Sequence, residues 1–93
     1  MGVEFLIVYE VTVSEVDIPN LPKVWQKKIR DAIRTKLMIS PEVFGKPLRK
    51  SLKGYRKLRV GNYRVVFRIE NETIKIFAIL HRSVVYKAIQ RRL

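Results

Sequence analysis

Cationic side chains concentrate in one segment of the sequence, and they are the groups best suited to chemistry on an anion. No acidic residue occurs between Glu42 and Glu70, but nine basic residues do: Lys46, Arg49, Lys50, Lys53, Arg56, Lys57, Arg59, Arg64 and Arg68. Arginine binds phosphate through a planar pair of N–H donors, and lysine presents a compact positive charge. The segment therefore predicts a surface that binds a phosphate-bearing partner.

Two predicted strands bring part of this charge to one side of a sheet. Residues 55–60 and 63–69 are rich in β-forming side chains and meet at Gly61-Asn62, a tight-turn signal. Successive side chains alternate across a strand, so the apolar residues of the second strand would face the core. The cations of both strands would then emerge together on an open face of the sheet: Lys57, Arg59, Arg64 and Arg68.

Other catalytic patterns are weak. His81 is the only histidine, and a lone histidine more often has a structural role, so a catalytic role for it stays open. One histidine, no cysteine and scattered carboxylates do not make a metal-ligand pattern, so no metal site is expected. No paired carboxylates, glycine-rich phosphate loop or Ser/His/Asp arrangement stands out.

The elements that must position these residues follow from periodicity and breaks. Residues 3–9 predict a buried strand, and residues 10–18 could extend it or form a short helix. Apolar residues at helical spacing predict a helix over 21–38, with a further short turn after Ser40-Pro41. Three antiparallel strands (55–60, 63–69 and 73–80) and a helix within 83–93 complete the chain. The predicted class is α+β, with an antiparallel sheet packed on one face by N-terminal helices.

Length and charge limit the function further. The chain has 93 residues, which suits a single domain over 1–93, and a net charge of +12 that favours nucleic acid, an acidic protein or an anionic membrane as partner. The N-terminus is too short in apolar residues and too acidic for a signal peptide, and no apolar run reaches membrane-spanning length. We therefore expect a cytoplasmic protein with no membrane association.

Three stretches together resemble the RelE/ParE toxin superfamily, and its RelE branch most closely. They are Gly45-Lys46-Pro47-Leu48, Leu52-Lys53-Gly54-Tyr55-Arg56-Lys57-Leu58-Arg59-Val60-Gly61-Asn62-Tyr63-Arg64-Val65-Val66-Phe67, and His81-Arg82-Ser83-Val84-Val85-Tyr86. The resemblance extends from about Ile18 onward. Leu80 departs from it, because many relatives have glycine before His-Arg, and residues 10–18 are less typical of the first helix.

The resemblance implies a microbial-RNase-like fold with the order β-α-(α)-β-β-β and a short C-terminal helix. It implies the toxin of a type II toxin–antitoxin module, a ribosome-dependent mRNA endonuclease that inhibits translation without a metal or small-molecule cofactor. The implied partners are a RelB-like antitoxin, the ribosome and mRNA, with ribosomal RNA contacting the basic face.

The resemblance also implies roles for individual residues. Lys57 and Arg59 match the family's basic pair, and Arg64 matches its central arginine. Arg82 and Tyr86 match its C-terminal arginine and tyrosine. The expected catalytic residues are therefore Lys57, Arg64, Arg82 and Tyr86, and the expected RNA-binding residues are Lys53, Arg56, Arg59, Arg68 and His81.

A mechanism on RNA follows from these roles. Arg64 and Arg82 would stabilise charge on the phosphorane-like transition state. Lys57 would serve as general base or proton shuttle, and Tyr86 would stack on a base, orient it or assist proton transfer.

Two other functions remain open. One is a ParE-like toxin that inhibits gyrase by binding, without chemistry of its own. Arg82 and Tyr86 favour the endonuclease over it, because the gyrase-inhibiting branch usually lacks that pair. The other is a non-catalytic basic RNA-binding protein or degenerate toxin.

Overall fold

A mixed five-stranded sheet forms the centre of the protein. The computed structural model describes residues 4–48 and 54–93. The strand order is β1-β5-β4-β3-β2. The strands are β1 (Leu6–Tyr9), β2 (Lys46–Pro47), β3 (Tyr55–Val60), β4 (Tyr63–Glu70) and β5 (Thr73–His81).

Within the described residues, four helical segments accompany the sheet. α1 comprises a π-helical turn, Val13–Asp17, followed by an α-helical turn, Ile18–Asn20. α2 runs over Lys23–Ala32 and continues in a π-helical turn, Ile33–Leu37. The short α3 (Pro41–Phe44) precedes β2, and α4 (Val85–Arg92) follows β5. Residues 10–18, for which the sequence left two structures open, are therefore mainly helical.

The predicted α+β class and the three-stranded meander are confirmed. β4 pairs antiparallel with both β3 and β5, through tight turns at Gly61 and Asn71 whose φ angles are +59° and +58°. The sheet is not wholly antiparallel, because β1 runs parallel to β5 at the edge. The helical segments after β1 carry the chain across one face of the sheet to β2, which lies at the opposite edge.

One face of the sheet packs against α1 and α2, as predicted. Val65 and Phe67 of β4 lie fully buried opposite Ile29 and Ile33 of α2. These apolar side chains recur at the spacing of one helix face and one strand face, so a single layer of contacts buries both elements.

The opposite face is not free, which differs from the expectation of an open face. Val85 and Ile89 of α4 are fully buried against Val66 and Ala78, and these four residues form a second small core. α4 therefore covers the centre of the face on which the cations of β3 and β4 emerge.

A β-bulge makes this second core possible. In the pairing of β4 with β5, Val66 opposes Ala78 and Phe67 opposes Ile76, so Phe77 is one extra residue in β5. A bulge of this kind shifts the alternation of side chains by one position. As a result Phe77 and Ala78 both contribute to the α4 side, whereas Ile76 and Ile79 both contribute to the α2 side.

Within residues 4–48 and 54–93, no helix is long and apolar enough to cross a membrane.

Candidate functional site

The candidate site is centred on a contact between β3 and α4. Lys57 Nζ donates a hydrogen bond to Tyr86 Oη at 2.9 Å, and the same ammonium lies 5.3 Å from the centre of the Tyr86 ring. Lys57 projects from the α4 side of β3, and Tyr86 occupies the first turn of α4. The neighbouring Val85 is fully buried against the sheet, whereas Tyr86 is 39% exposed.

Positive charge alters the acidity of Tyr86. Partial burial raises the pKa of the Tyr86 hydroxyl, but the hydrogen bond from Lys57 and the charges of Lys57 and Arg64 lower it. The net effect is a pKa below the ordinary value for tyrosine. A nearby cation favours the phenolate, because the anion then interacts with an opposite charge. Tyr86 is therefore more readily ionised than a free tyrosine, and its phenolate can accept a proton.

Arg64 is a buried cation beside this pair. It is only 7% exposed, and its Nη1 donates to the carbonyl oxygens of Gly61 at 3.0 Å and Tyr63 at 2.9 Å. These two bonds fix the guanidinium at the β3–β4 turn. A cation held by its own backbone is preorganised, so it loses little conformational freedom when it stabilises an anion.

Arg59 and Arg82 lie at the same end of the sheet as Arg64. Arg59 is the direct cross-strand partner of Arg64, which places both side chains on the α4 side. The backbone N–H of Arg82 donates to the carbonyl oxygen of Asn62 at 2.8 Å, which ties Arg82 to the β3–β4 turn. Both arginines differ from Arg64 in being exposed. Both side chains are therefore accessible to a ligand that binds at this end of the sheet.

We call these groups the cationic cluster: Lys57, Arg59, Arg64, Arg82 and the hydroxyl of Tyr86. Among the residues that the structure describes, no carboxylate pairs with the cations of this cluster. The ion pairs in that part of the chain are Arg68 with Glu70, Lys75 with Glu10, and Arg92 with Asp17. Neighbouring cations repel one another unless an anion lies between them. The cluster is therefore suited to bind a phosphodiester and to offer a phenol of increased acidity beside it.

Two predicted RNA-binding residues lie apart from the cluster. Arg56 points to the opposite side of β3, where its Nη1 donates to the carbonyl oxygen of Gly45 at 2.9 Å. Arg68 shares the α4 side with Arg64, but four residues along a strand separate them by about 13 Å. Arg68 lies over the Tyr55 ring and 3.8 Å from a carboxylate oxygen of Glu70. Lys53, a third predicted RNA-binding residue, lies outside the described residues.

His81 also lies apart from the cluster, on the other face of the sheet. Its cross-strand partner is Tyr63, and the two rings meet edge-to-face at 5.7 Å between centroids. Tyr63 in turn packs on Trp25 of α2 at 5.1 Å. The Nδ1 atom of His81 is occupied locally, because the backbone N–H of Ser83 donates to it at 3.1 Å and the Ser83 hydroxyl lies 2.8 Å away.

The sequence did not reveal the contact between Asp17 and Arg92, which joins α1 to the C-terminal end of α4, the helix that carries Tyr86. Asp17 is buried, and both of its carboxylate oxygens accept hydrogen bonds from the Arg92 guanidinium at 2.8 Å. A sequence separation of 75 residues leaves no local pattern to detect. The single available signal was an acidic residue between the apolar Val16 and Ile18.

No group of three or more histidine, cysteine or acidic side chains that could hold a metal ion occurs within the described ranges.

Comparison with known proteins identifies relatives of this chain. A family model for the ParE toxin of type II toxin–antitoxin systems (parDE) matches residues 17–86. Toxin RelE of Mycobacterium tuberculosis (strain ATCC 25618 / H37Rv) is 33% identical over 73 residues, which cover 76% of this chain and 75% of that protein.

Solved structures share the same fold. The toxin–antitoxin complex RelBE2 from Mycobacterium tuberculosis contains a chain that superposes with a TM-score of 0.79 at 30% identity, covering 87% of this chain and 94% of that one. A chain of the RelB–RelE complex from Methanococcus jannaschii gives a TM-score of 0.65 at 23% identity, covering 85% and 94%. YafQ from E. coli strain BL21(DE3) gives 0.62 at 17% identity, covering 89% and 99%.

The matched region includes strands β3 to β5 and the first two residues of α4, and these elements carry Lys57, Arg64 and Tyr86. The chain belongs to the RelE/ParE superfamily and is a toxin of a type II toxin–antitoxin system.

Proposed function

We propose that this toxin is an endoribonuclease that cleaves mRNA on the ribosome. The observation that carries the proposal is the 2.9 Å hydrogen bond from Lys57 to Tyr86, beside the buried Arg64. A phosphodiester needs cations to bind it, and its cleavage needs a group that accepts a proton. The cationic cluster contains both kinds of group within one small surface.

The proposed reaction is attack of a ribose 2′-hydroxyl on the adjacent phosphorus. Tyr86 in its phenolate form accepts the 2′ proton, while Lys57 keeps the phenolate populated. The 2′-oxygen forms a bond to phosphorus, and the bond from phosphorus to the 5′-oxygen breaks. Arg64 stabilises the charge on the non-bridging oxygens, and Arg82 neutralises the departing 5′-oxygen, which takes its proton from water. The products are a 2′,3′-cyclic phosphate and a 5′-hydroxyl.

The cationic cluster offers only weakly acidic groups for proton transfer, and for this reason we assign the reaction to ribosome-bound mRNA. Tyrosine is a weak acid, and the titratable groups that lower the pKa of Tyr86 are the cations Lys57 and Arg64. Holding the mRNA in an in-line geometry can supply the remaining rate enhancement, because alignment removes much of the entropic barrier. We infer that the ribosome supplies this alignment, with ribosomal RNA contacting the basic face, and that the protein acts in the cytoplasm.

The proposed antitoxin is a RelB-like protein that covers the cationic cluster. Two of the similar solved structures are complexes of RelE-type toxins with their antitoxins. The net charge of the chain is +12, and a positive charge of this size attracts an acidic partner at long range. An antitoxin bound there would exclude RNA from Lys57 and Tyr86.

A reconstituted translation reaction tests the endonuclease. New mRNA 5′ ends are mapped by primer extension with mRNA alone and with mRNA on ribosomes, using the wild type, Tyr86→Phe, Arg82→Ala and Arg91→Ala. Arg91 is a matched control, because it is an exposed arginine on the last turn of α4. Cleavage on ribosomes by the wild type and Arg91→Ala alone supports the proposal. Full activity of Tyr86→Phe and Arg82→Ala would contradict the assigned roles.

A second candidate is inhibition of gyrase, because the matching family model is that of the ParE toxin. The discriminating measurement is a DNA supercoiling assay with the same purified proteins. Inhibition of supercoiling without mRNA cleavage would favour the gyrase function. RNA binding without either activity would indicate a degenerate toxin.

A further inference from the structure

A buried ion pair joins the first and last helices of the chain. Arg92 Nη1 donates to Asp17 Oδ2 and Arg92 Nη2 donates to Asp17 Oδ1, each at 2.8 Å. The Asp17 side chain is completely buried, whereas the Arg92 side chain is 23% exposed. A bidentate pair of this kind fixes both the distance and the relative orientation of the two side chains.

The pair is also bonded to the sheet. Asp17 Oδ2 accepts a hydrogen bond from the backbone N–H of Ile79 at 3.0 Å, and Arg92 Nη1 donates to the carbonyl oxygen of Phe77 at 3.0 Å. Both backbone groups belong to the part of β5 that extends beyond its pairing with β1, at the bulge. Asp17 and Arg92 therefore satisfy polar groups that lie past the end of β1, and they connect α1, β5 and α4 at one point.

α4 depends on such an anchor. A helix of eight residues is too short to be stable by itself, so its position is set by its contacts with the rest of the protein. Two of its side chains, Val85 and Ile89, are fully buried in the small second core. Arg92 fixes the C-terminal end of α4, and Tyr86 lies six residues earlier, about 9 Å along the helix axis.

We propose that Asp17 and Arg92 are positioning residues that hold α4 in the place where Tyr86 meets Lys57. The effect of the pair on cleavage rests on the proposed function, but its effect on the position of Tyr86 does not. Neither residue belongs to the cationic cluster, so they act through α4 and not by contact with RNA. Without the pair, the C-terminal end of α4 loses its bonds to α1 and β5, and Tyr86 samples positions away from Lys57.

Four variants test this role. Asp17→Asn and Arg92→Gln each break the bidentate ion pair, and the double variant D17N/R92Q removes both charges, so that no unpaired charge remains buried. Arg91→Gln is the matched control, because it removes an exposed arginine from the neighbouring position of the same helix. Unfolding curves identify a temperature at which each variant is folded, and all further measurements are made there.

The decisive readout is the ionisation of Tyr86, followed by fluorine NMR of protein labelled with fluorotyrosine. The chain has four tyrosines, and the resonance missing from Tyr86→Phe identifies Tyr86. Cleavage of ribosome-bound mRNA is measured in parallel as kcat and KM.

Disruption of the pair should return the Tyr86 titration to that of an unperturbed fluorotyrosine and lower kcat about 100-fold, because a small misplacement of a reacting group has an effect of that size. KM should change little, because Lys57, Arg59 and Arg64 remain in place. Arg91→Gln should match the wild type in every measurement.

Single and double variants that melt earlier but retain the wild-type Tyr86 titration and kcat would overturn the proposal, because the pair would then stabilise the fold without positioning Tyr86. A wild type that cleaves no mRNA would instead contradict the proposed function. In that case the Tyr86 titration alone would still decide whether Asp17 and Arg92 position α4.

Discussion

The indole ring of Trp25 lies directly against Gly61, in the space that a Cβ atom at position 61 would occupy. Trp25 belongs to α2, and Gly61 begins the β3–β4 turn. The carbonyl oxygen of Gly61 accepts one of the hydrogen bonds that hold Arg64. The contact therefore joins the main core to the cationic cluster. Because Trp25 also packs on Tyr63, one aromatic side chain fixes both sides of this turn.

Gly61→Ala should be strongly destabilising. The φ angle of +59° disfavours any residue with a Cβ, and the added methyl group would overlap the Trp25 ring. We expect the free energy of unfolding to fall by about 2–4 kcal/mol, measured by urea denaturation.

Gly54→Ala is the matched control for this prediction. Gly54 also has a positive φ angle, +90°, but the nearest atom of the described residues to a methyl group added there is Arg68 Nε, at 3.9 Å. Gly54→Ala should therefore lower the free energy of unfolding by only about 1–2 kcal/mol, the cost of the strained backbone conformation. Equal losses for the two variants would contradict the role of Trp25.

Tyr86→Phe should abolish most of the cleavage without unfolding the protein. The substitution removes the hydroxyl that accepts the Lys57 hydrogen bond but keeps the ring. Loss of a group that transfers a proton lowers rates about 100- to 10,000-fold. The measurement is the rate of mRNA cleavage on ribosomes.

Tyr9→Phe serves as control for the loss of a tyrosine hydroxyl, because Tyr9 packs against the core on the α2 side of the sheet. It should cleave at the wild-type rate. A Tyr86→Phe variant within about twofold of the wild type would show that the hydroxyl takes no part in the reaction, since proton transfer contributes far more than that.

The pH dependence of cleavage should report the ionisation of Tyr86. In the proposed reaction the active form of Tyr86 is the phenolate, so the rate should rise with pH and level off above the lowered pKa of Tyr86. Lys57→Met removes the largest lowering influence on that pKa, so the rise should move toward higher pH. A profile that falls across the same pH range would exclude Tyr86 as the proton acceptor.

The same lowered pKa affects stability in a defined direction. An acid whose pKa is lower in the folded protein than in the unfolded chain releases its proton first in the folded protein. The Tyr86 contribution to stability is therefore complete above the ordinary tyrosine pKa of 10.0 and is lost as the pH falls through the lower folded value. The difference in unfolding free energy between the wild type and Tyr86→Phe should accordingly increase with pH in this alkaline window.

Arg56 and Arg59, on opposite sides of β3, should behave differently. Arg56→Met removes the hydrogen bond to the Gly45 carbonyl and should lower the free energy of unfolding by about 1–2 kcal/mol. Arg59→Met removes an exposed cation from the cluster and should raise KM and reduce the salt dependence of RNA binding by about 0.7 of a unit in logarithmic slope. Nitrocellulose filter binding across a salt series, together with urea denaturation, separates the two effects.

Local patterns in the sequence were sufficient to place much of the cationic cluster. The alternation of side chains along β3 and β4 puts Lys57, Arg59 and Arg64 on one face, because the two-residue period holds within each strand and Gly61 fixes their pairing. The amphipathic pattern of α2 and the apolar side of β4 likewise determined which faces form the main core.

The position of His81 depended on tertiary structure. Uninterrupted alternation along β5 from Ile76 would place His81 on the side of Lys57 and Tyr86. The extra residue at Phe77 reverses the alternation, so His81 faces Tyr63 and α2 instead. A bulge arises from packing against neighbouring elements, and nothing in the residues around Phe77 marks it in advance.

The placement of α4 was likewise decided by the folded chain. Its apolar residues indicated that one side would be buried, but not which part of the sheet would cover it. The second core around Val66 and the pairing of Asp17 with Arg92 fix α4 against the centre of the sheet. Residue types and their two-residue alternation thus sufficed to place the cations of β3 and β4. The contact of Tyr86 with Lys57 depended on the folded chain, because it requires packing between segments far apart in the sequence.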